Sequence, residues 1–399
     1  MNARTGHASV SFQGFCIVWG GRSTITPKPF LPPEELLVYA QGENLWHLHK
    51  TRGDIPPPRT HSATVLVGSS LFTLSGFDQD VWSRTCRVWQ LDLVNLIWTE
   101  IHPDGRQPLP CERVACWAHT DKVFMFGGIA VKPEVEYEGI DIVEITELSI
   151  GGSVLTNQFV CYDIEANTWE WINSYGKIPT PRADMAVAVL GDNAWIFGGR
   201  DIEGSLSELL TLDLITFTWL TSTATGPVGR IGHCMVGLDD SMLFLYGGVG
   251  QYSVLGDRWV LDTKHIDSKW TKPCLRLSKP RWLHTMAVTK TSLVITGGLT
   301  DTEKEDTRTT VVAFKALSLL EISCKNVLSM LGCQLTSREL LSLPRNIVER
   351  LLRDEIPVTA TNYEVLREVA QKFSTEGNKE LLRKIQVFCK KHGLEKDGI

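Results

Sequence analysis

The sequence predicts an all-β, six-bladed propeller followed by a small α-helical C-terminal region. Three observations carry this reading. A glycine pair ends an apolar strand and returns about every 50 residues, an apolar strand closed by a tryptophan follows most copies, and the pattern turns helical near residue 318.

The glycine pairs come first. "CIVWGG" ends at Gly20-Gly21, "VFMFGG" at Gly127-Gly128 and "AWIFGG" at Gly198-Gly199, with "LFLYGG" at Gly247-Gly248 and "SLVITGG" at Gly297-Gly298. "LFTLSGF", with Gly76 alone, is a decayed sixth copy. The companion strands end at Trp46, Trp98, Trp169, Trp219 and Trp270. Each unit thus holds an apolar strand, the glycine pair, a third strand, a short turn and a Trp-led fourth strand. The glycines let the chain leave strand two at backbone angles other residues resist, and the tryptophan packs between blades. A four-strand unit of this period resembles the kelch repeat, over residues 1–317. How the ring closes is open in the sequence: blade six shows no obvious fourth strand, and little chain precedes blade one.

Composition bounds the function. The chain has 399 residues, 43% of them hydrophobic and 22% charged, with a net charge of −6. That balance suits a globular protein and argues against bulk electrostatic binding of nucleic acid or membrane. No run of about 18 apolar residues offers a membrane span, and no apolar run of signal-peptide length opens the chain. The ten cysteines are scattered without a CxxC pair, so reduced thiols in cytoplasm or nucleus are expected, with no metal and no cofactor. The GxSxG, HExxH and Walker patterns are absent, and the expectation is a binding platform rather than an enzyme.

Strand one of several blades is announced by Arg-x-x-His: Arg4–His7, Arg230–His233 and Arg281–His284. Arg59 is followed by His61, one residue short, and Arg182 by Met185. Recurrence in each blade favours structural histidines over catalytic ones. In an antiparallel blade the start of strand one and the end of strand two share one face of the disc. Arg59, Arg113, Arg182, Arg230 and Arg281 are thereby expected on the same rim as Arg22 and Arg200, half of them structural and the rest forming an electropositive mouth suited to carboxylates. An insertion from Ala130 to Thr156 rises on that face, carrying Glu134, Glu136, Glu138, Asp141, Glu144 and Glu147 against Lys132. It reads either as a solvated hairpin extension or as a wall that screens ligands by charge.

After the repeats, "SLLEISCKNVLSML" places Leu319, Ser323 and Val327 on one helical face at i, i+4, i+8, preceded by Ser318. "LPRNIVERL" repeats the spacing with Leu343, Ile347 and Leu351, and Pro344 suits a first helical turn. The first stretch resembles the elongin-binding box of ubiquitin-ligase receptors, with Ser323 where Cys is usual. The second resembles the cullin-2 box, and Asn346 stands where the cullin-5 version has a second proline. In order after a propeller, the pair resembles the Kelch-domain-containing substrate receptors of cullin-2 RING E3 ligases. The domains expected are then 1–317 propeller, 318–352 box helices, and 353–399 a helical tail with no assigned role.

That resemblance implies a non-catalytic receptor, linked through elongin C with elongin B to cullin-2 and its RING subunit, that grips a substrate C-terminus. In the family the terminal carboxylate is held by an arginine directly after the fourth glycine pair, here Arg200, and by a second five residues on, where this chain has Ser205. A Ser-Trp pair after "PVGR" is replaced by Ile231 and Gly232. Arg22, Arg113 or Arg281 is expected to supply the missing cation, and Trp282 a displaced aromatic wall. The competing reading is a kelch scaffold unrelated to ubiquitin ligases.

Overall fold

The computed structural model describes residues 3–313 apart from 24, 27–28, 42–43, 135–138, 146–151, 223, 265–268, 274–278, 291 and 302–303. The box residues Ser318, Leu319, Ser323, Val327, Leu343, Pro344, Ile347 and Leu351 lie outside the described residues, as does the tail 353–399.

Alternating apolar residues in short runs, each stopped by a turn, make the described residues all-β. They form six consecutive antiparallel blades. Blade one is Ala8–Phe12, Phe15–Trp19, Glu35–Ala40 and Leu45–Lys50, in that order from the axis outward. Blades two to four repeat this with innermost strands Thr64–Val67, Ala115–His119 and Ala186–Leu190. Their outer strands Ile97–Ile101, Thr168–Trp171 and Thr218–Thr221 each gain a two-residue parallel partner from the preceding connection. Blade five has three strands beginning at Cys234–Gly237, with Thr271 bridging Val260 in the fourth position. Blade six is Thr285–Val288, Ser292–Thr296 and Thr310–Ala313.

The core lies between blades. Trp98 packs on Trp19 of blade one at 5.1 Å, Trp219 on Phe126 of blade three at 4.7 Å, and Trp270 on Phe197 of blade four at 5.7 Å. All three are almost fully buried, and burying one such ring stabilises the stack by about 2–3 kcal/mol.

The seam between blades six and one closes by the same packing. Trp46 packs with Ala287 and Val294 and donates Nε1–H to Thr309 Oγ1 at 2.8 Å. His7 lies 2.9 Å from Thr285 Oγ1, Ser23 donates to Glu305 Oε2 at 2.6 Å, and Gly298 N–H reaches Arg4 O at 3.0 Å. Among the described residues no strand of one end completes the sheet of the other. A Cβ on Gly297 would lie 2.4 Å from His7 Cε1, so glycine there is a condition of closure.

The insertion in blade three is a hairpin extension. Ile129–Val131 pairs with Ser153–Thr156, which pairs with Ile142–Glu144, and Lys132 ion-pairs with Glu144. These strands join Cys111–Glu112, Ser83–Thr85, Gly76–Asp78 and Arg59–Thr60 in a seven-stranded sheet that bridges blades two and three on one face.

Candidate functional site

The residue after each glycine pair, or after Gly76, bridges backward to the segment before strand one and forward to the segment before strand three. The sets are Thr5–Arg22–Phe30, Ala183–Arg200–Ser205, Ile231–Val249–Val254 and Trp282–Leu299–Glu305. In blades two and three the paired strands give Thr60–Phe77–Arg84 and Glu112–Ile129–Leu155. These segments make one face, the mouth, as antiparallel order requires.

Inside them runs a ring of six positions, one per blade, joined by five backbone hydrogen bonds from Gly6 round to Leu283. Gly6, His61, Arg113, Asp184, Gly232 and Leu283 all take left-handed backbone, with φ of 60°, 53°, 58°, 61°, 59° and 52°. Four of the six carry side chains that resist this region, at about 1 kcal/mol or more each. Hydrogen bonds offset the strain. The N–H of His61 donates to Gly6 O at 2.7 Å, that of Arg113 to His61 O at 3.2 Å, and that of Asp184 to Arg113 O at 3.1 Å. Gly232 donates to Asp184 O at 3.4 Å and Leu283 to Gly232 O at 2.8 Å.

The ring fixes the register of the arginines. Two residues before a ring position stand Arg4, Arg59, Arg182, Arg230 and Arg281, all buried, with Cys111 in the remaining place. Arg59 pairs with Asp78 at 3.2 Å and stacks its guanidinium 4.1 Å over Trp89. Arg182 donates to Glu208 at 3.0 Å, and Arg230 grips Asp257 through two bonds of 2.6 and 2.9 Å. Arg281 reaches Asp306 at 3.0 Å and Gly297 O at 3.3 Å, with no exposed side-chain surface. Of the arginines expected on this face, half of them structural, Arg59, Arg182, Arg230 and Arg281 all take the structural part: each is buried and pairs with an acid of its own blade. Arg281 is therefore part of the frame and not a ligand contact in this conformation.

The histidines next to this belt are buried and neutral. His7 and His233 are pushed down to about 3, chiefly by burial and then by Arg4 and Arg230 respectively. His284 is also held well below its usual value, by burial and then Arg281. His233 Cε1 would lie 2.9 Å from a Cβ on Gly198, and His284 Cε1 2.8 Å from one on Gly247. The glycine pair of one blade thus makes room for the histidine of the next. Met185 and Ser62 stand in that place in blades four and two.

Three arginines remain at the mouth. Arg22 is exposed, and Arg113 and Arg200 are half-buried. Arg113 Nη1 donates to Asp184 Oδ1 at 2.9 Å and its Nε lies 3.9 Å from Glu112. Burial alone would lower the Arg113 guanidinium, but Asp184 and Glu112 reverse this and raise it, so its charge is secure. Arg200 Nε lies 3.5 Å from Asp184 Oδ2, yet neither atom makes a hydrogen bond. Buried Glu112 is pushed up by desolvation, against the pull of Arg113 and of Arg84, which donates to it at 3.1 Å. His61, beside Glu112, is held well below its usual value by burial, then by Arg113 and Arg22, and stays neutral.

The structure thus brings Arg200 and Arg113 together on one carboxylate and places Arg22 on the same face. Ser205 is half-buried and bridges Arg200 through the backbone, and Trp282 is half-exposed across the mouth. Sequence reasoning missed Asp184, Glu112 and the ring. Asp184 is legible only once its place two residues after Arg182 is set beside Gly6 and Gly232. Among the described residues no cluster of His, Cys, Asp and Glu is arranged to hold a metal, and no helix is long and apolar enough to cross a membrane.

Six antiparallel blades, the first four built on four strands and the last two on three among the described residues, with glycine pairs and a belt of buried arginines, define a kelch-repeat propeller. The profile of the KLHDC2/KLHL20/DRC7 Kelch-repeats domain matches residues 6–147 and 146–326, and the chain belongs to this kelch-repeat family. It is 29% identical to Kelch domain-containing protein 1 of Homo sapiens over 318 residues, covering 75% of this chain and 76% of that protein. It is 30% identical to Kelch domain-containing protein 2 of Bos taurus over 311 residues, covering 74% and 75%. Host cell factor 2 of Homo sapiens is 24% identical, covering 66% of this chain and 42% of that protein.

Proposed function

We propose that the chain is the non-catalytic substrate-recognition subunit of a cullin-2 RING E3 ubiquitin ligase, with the mouth binding the C-terminal peptide of its substrate. The observation that carries the ligand half is the Arg113–Asp184–Arg200 cluster. Asp184 spends one oxygen on Arg113, while Arg200 Nε and Asp184 Oδ2 face each other without a bond. A carboxylate beside Arg200 meets a planar guanidinium whose charge is only partly committed, which is the chemistry for two-point capture. Three arginines share this face with the carboxylates Asp184 and Glu112, and Arg22 and Arg200 make no hydrogen bond to either acid. The assembly half rests on sequence: Ser318, Leu319, Ser323 and Val327 for elongin C with elongin B, and Leu343, Pro344, Ile347 and Leu351 for cullin-2.

Peptides with free and amidated C-termini test the ligand half. Free termini bind and amidated ones do not, and Arg200→Ala weakens the free peptides about 10- to 100-fold, the worth of one or two charged hydrogen bonds. Indifference to both changes rejects a chain terminus as ligand. Co-purification with elongins B and C tests the other half. Leu319→Asp abolishes capture through an unpaired charge in an apolar contact, while the propeller melts as before. Retained capture returns the chain to the kelch-scaffold reading.

A further inference from the structure

The mouth is not the same all the way round. At the bridged positions of blades one to four the accessible residues are polar, namely Arg22, Arg200 and Ser205, whereas the apolar residues there (Phe30, Phe77, Ile129 and Leu155) are buried. On blades five and six the order inverts. Ile231, Val249, Val254, Trp282 and Leu299 occupy the same bridged positions and are all half-exposed. The loops do not share this contrast: Tyr252 is exposed between Val249 and Val254, as Ile25, Trp82 and Ile202 are on the matching loops of blades one, two and four.

The two halves meet at Gly232. Its N–H donates to Asp184 O at 3.4 Å, which puts it one ring step from the carboxylate that faces Arg200. Leu283 Cδ2 and Trp282 Cε3 lie 3.2 and 3.3 Å from where a Cβ on Gly232 would stand. The missing side chain lets an aromatic ring and an isobutyl group close over the ring backbone there. An apolar wall therefore begins where the cationic cluster ends.

We infer that this half-mouth selects the identity of the ligand's last residues: the preferred occupant is a protein C-terminus whose final side chain is large and apolar. This rests on the proposal that the mouth binds a chain terminus. Charge complementarity sets the orientation. The carboxylate turns to Arg200 and Arg113, and the side chain beside it lies against Trp282, Leu283 and Ile231, where it leaves water with no polar group stranded. A terminal glycine gains nothing from that wall, and a terminal aspartate is desolvated against it.

The test uses the full chain and peptides of one body sequence ending in Leu, Phe, Val, Ser, Gly or Asp, each with a free or an amidated terminus. Free peptides ending in Leu, Phe or Val bind at least about tenfold tighter than those ending in Gly or Asp, as expected for burying a side chain of that size. Trp282→Ala reduces this discrimination at least about threefold without removing the dependence on a free terminus, and Ile231→Ser provides the same comparison should Trp282→Ala not fold. If Gly- or Asp-ended peptides bind as tightly as Leu-ended ones while amidation still abolishes binding, this inference falls and the terminus reading stands. Discrimination unchanged in a folded variant also overturns it. If amidation changes nothing, both fall.

Discussion

Arg230 and Arg200 lie in neighbouring blades on either side of the same glycine pair, and they do opposite work. Arg230 is fully buried, holds both oxygens of Asp257 at 2.6 and 2.9 Å, and spends further N–H groups on Gly247 O and Val228 O. Arg200 keeps about a quarter of its side chain in solvent and meets Asp184 at 3.5 Å without a hydrogen bond. The residue type is shared, but the partner is not. A guanidinium whose donors are taken by its own blade is frame, whereas one with donors to spare is available to a ligand.

The largest effect that separates the two regions is on stability. Arg230→Met leaves Asp257 partly buried without its cation and costs about 3 kcal/mol in chemical denaturation. A loss under about 1 kcal/mol would show that the belt is not what holds the blades. Acid sensitivity comes next. His7 and His233 titrate at about 3 in the folded chain and near 6.5 when unfolded, so the unfolded state binds the extra proton between these values. Stability therefore falls as pH drops from 6.5 towards 3, by about 1.4 kcal/mol per pH unit for each such histidine. His233→Met, which copies Met185 of blade four, removes one share of that slope in melts recorded across pH. An unchanged slope would mean His233 is charged in the fold. The smallest effect is Arg200→Ala on folding: with no hydrogen bond to Asp184 to lose, it shifts the denaturation midpoint by less than about 1 kcal/mol. A loss as large as that of Arg230→Met would erase the distinction between frame and mouth.

The blades were legible in the sequence because their signals are local: a glycine pair, a tryptophan and the apolar strand between them. The seam was not. His7 with Thr285 and Trp46 with Thr309 join residues more than 260 positions apart through side chains, and no spacing announces them. The arginines were legible as a set but not in register. Arg59 looks one residue out of step because of His61, yet Arg59 lies in the belt, Ser62 takes the histidine's place, and His61 sits on the ring. Arg113 makes the reverse case: it occupies a ring position, with Cys111 in the belt. A shift of one or two residues changes which way a side chain points, and only the hydrogen-bonded ring shows where to start counting.

That ring has a consequence for how the mouth can change. Its links are amide to carbonyl, and the positions it joins already hold glycine, imidazole, guanidinium, carboxylate and isobutyl groups. The frame works like a socket plate with four open sockets, at His61, Arg113, Asp184 and Leu283; a Cβ on Gly6 would stand 2.0 Å from Thr60 Oγ1, and one on Gly232 3.2 Å from Leu283 Cδ2. An exchange confined to those four residues changes the charge and shape presented at the mouth while the amide-to-carbonyl links stay in place. One scaffold can therefore be re-keyed from a cationic opening to an acidic or an apolar one without rebuilding a single blade.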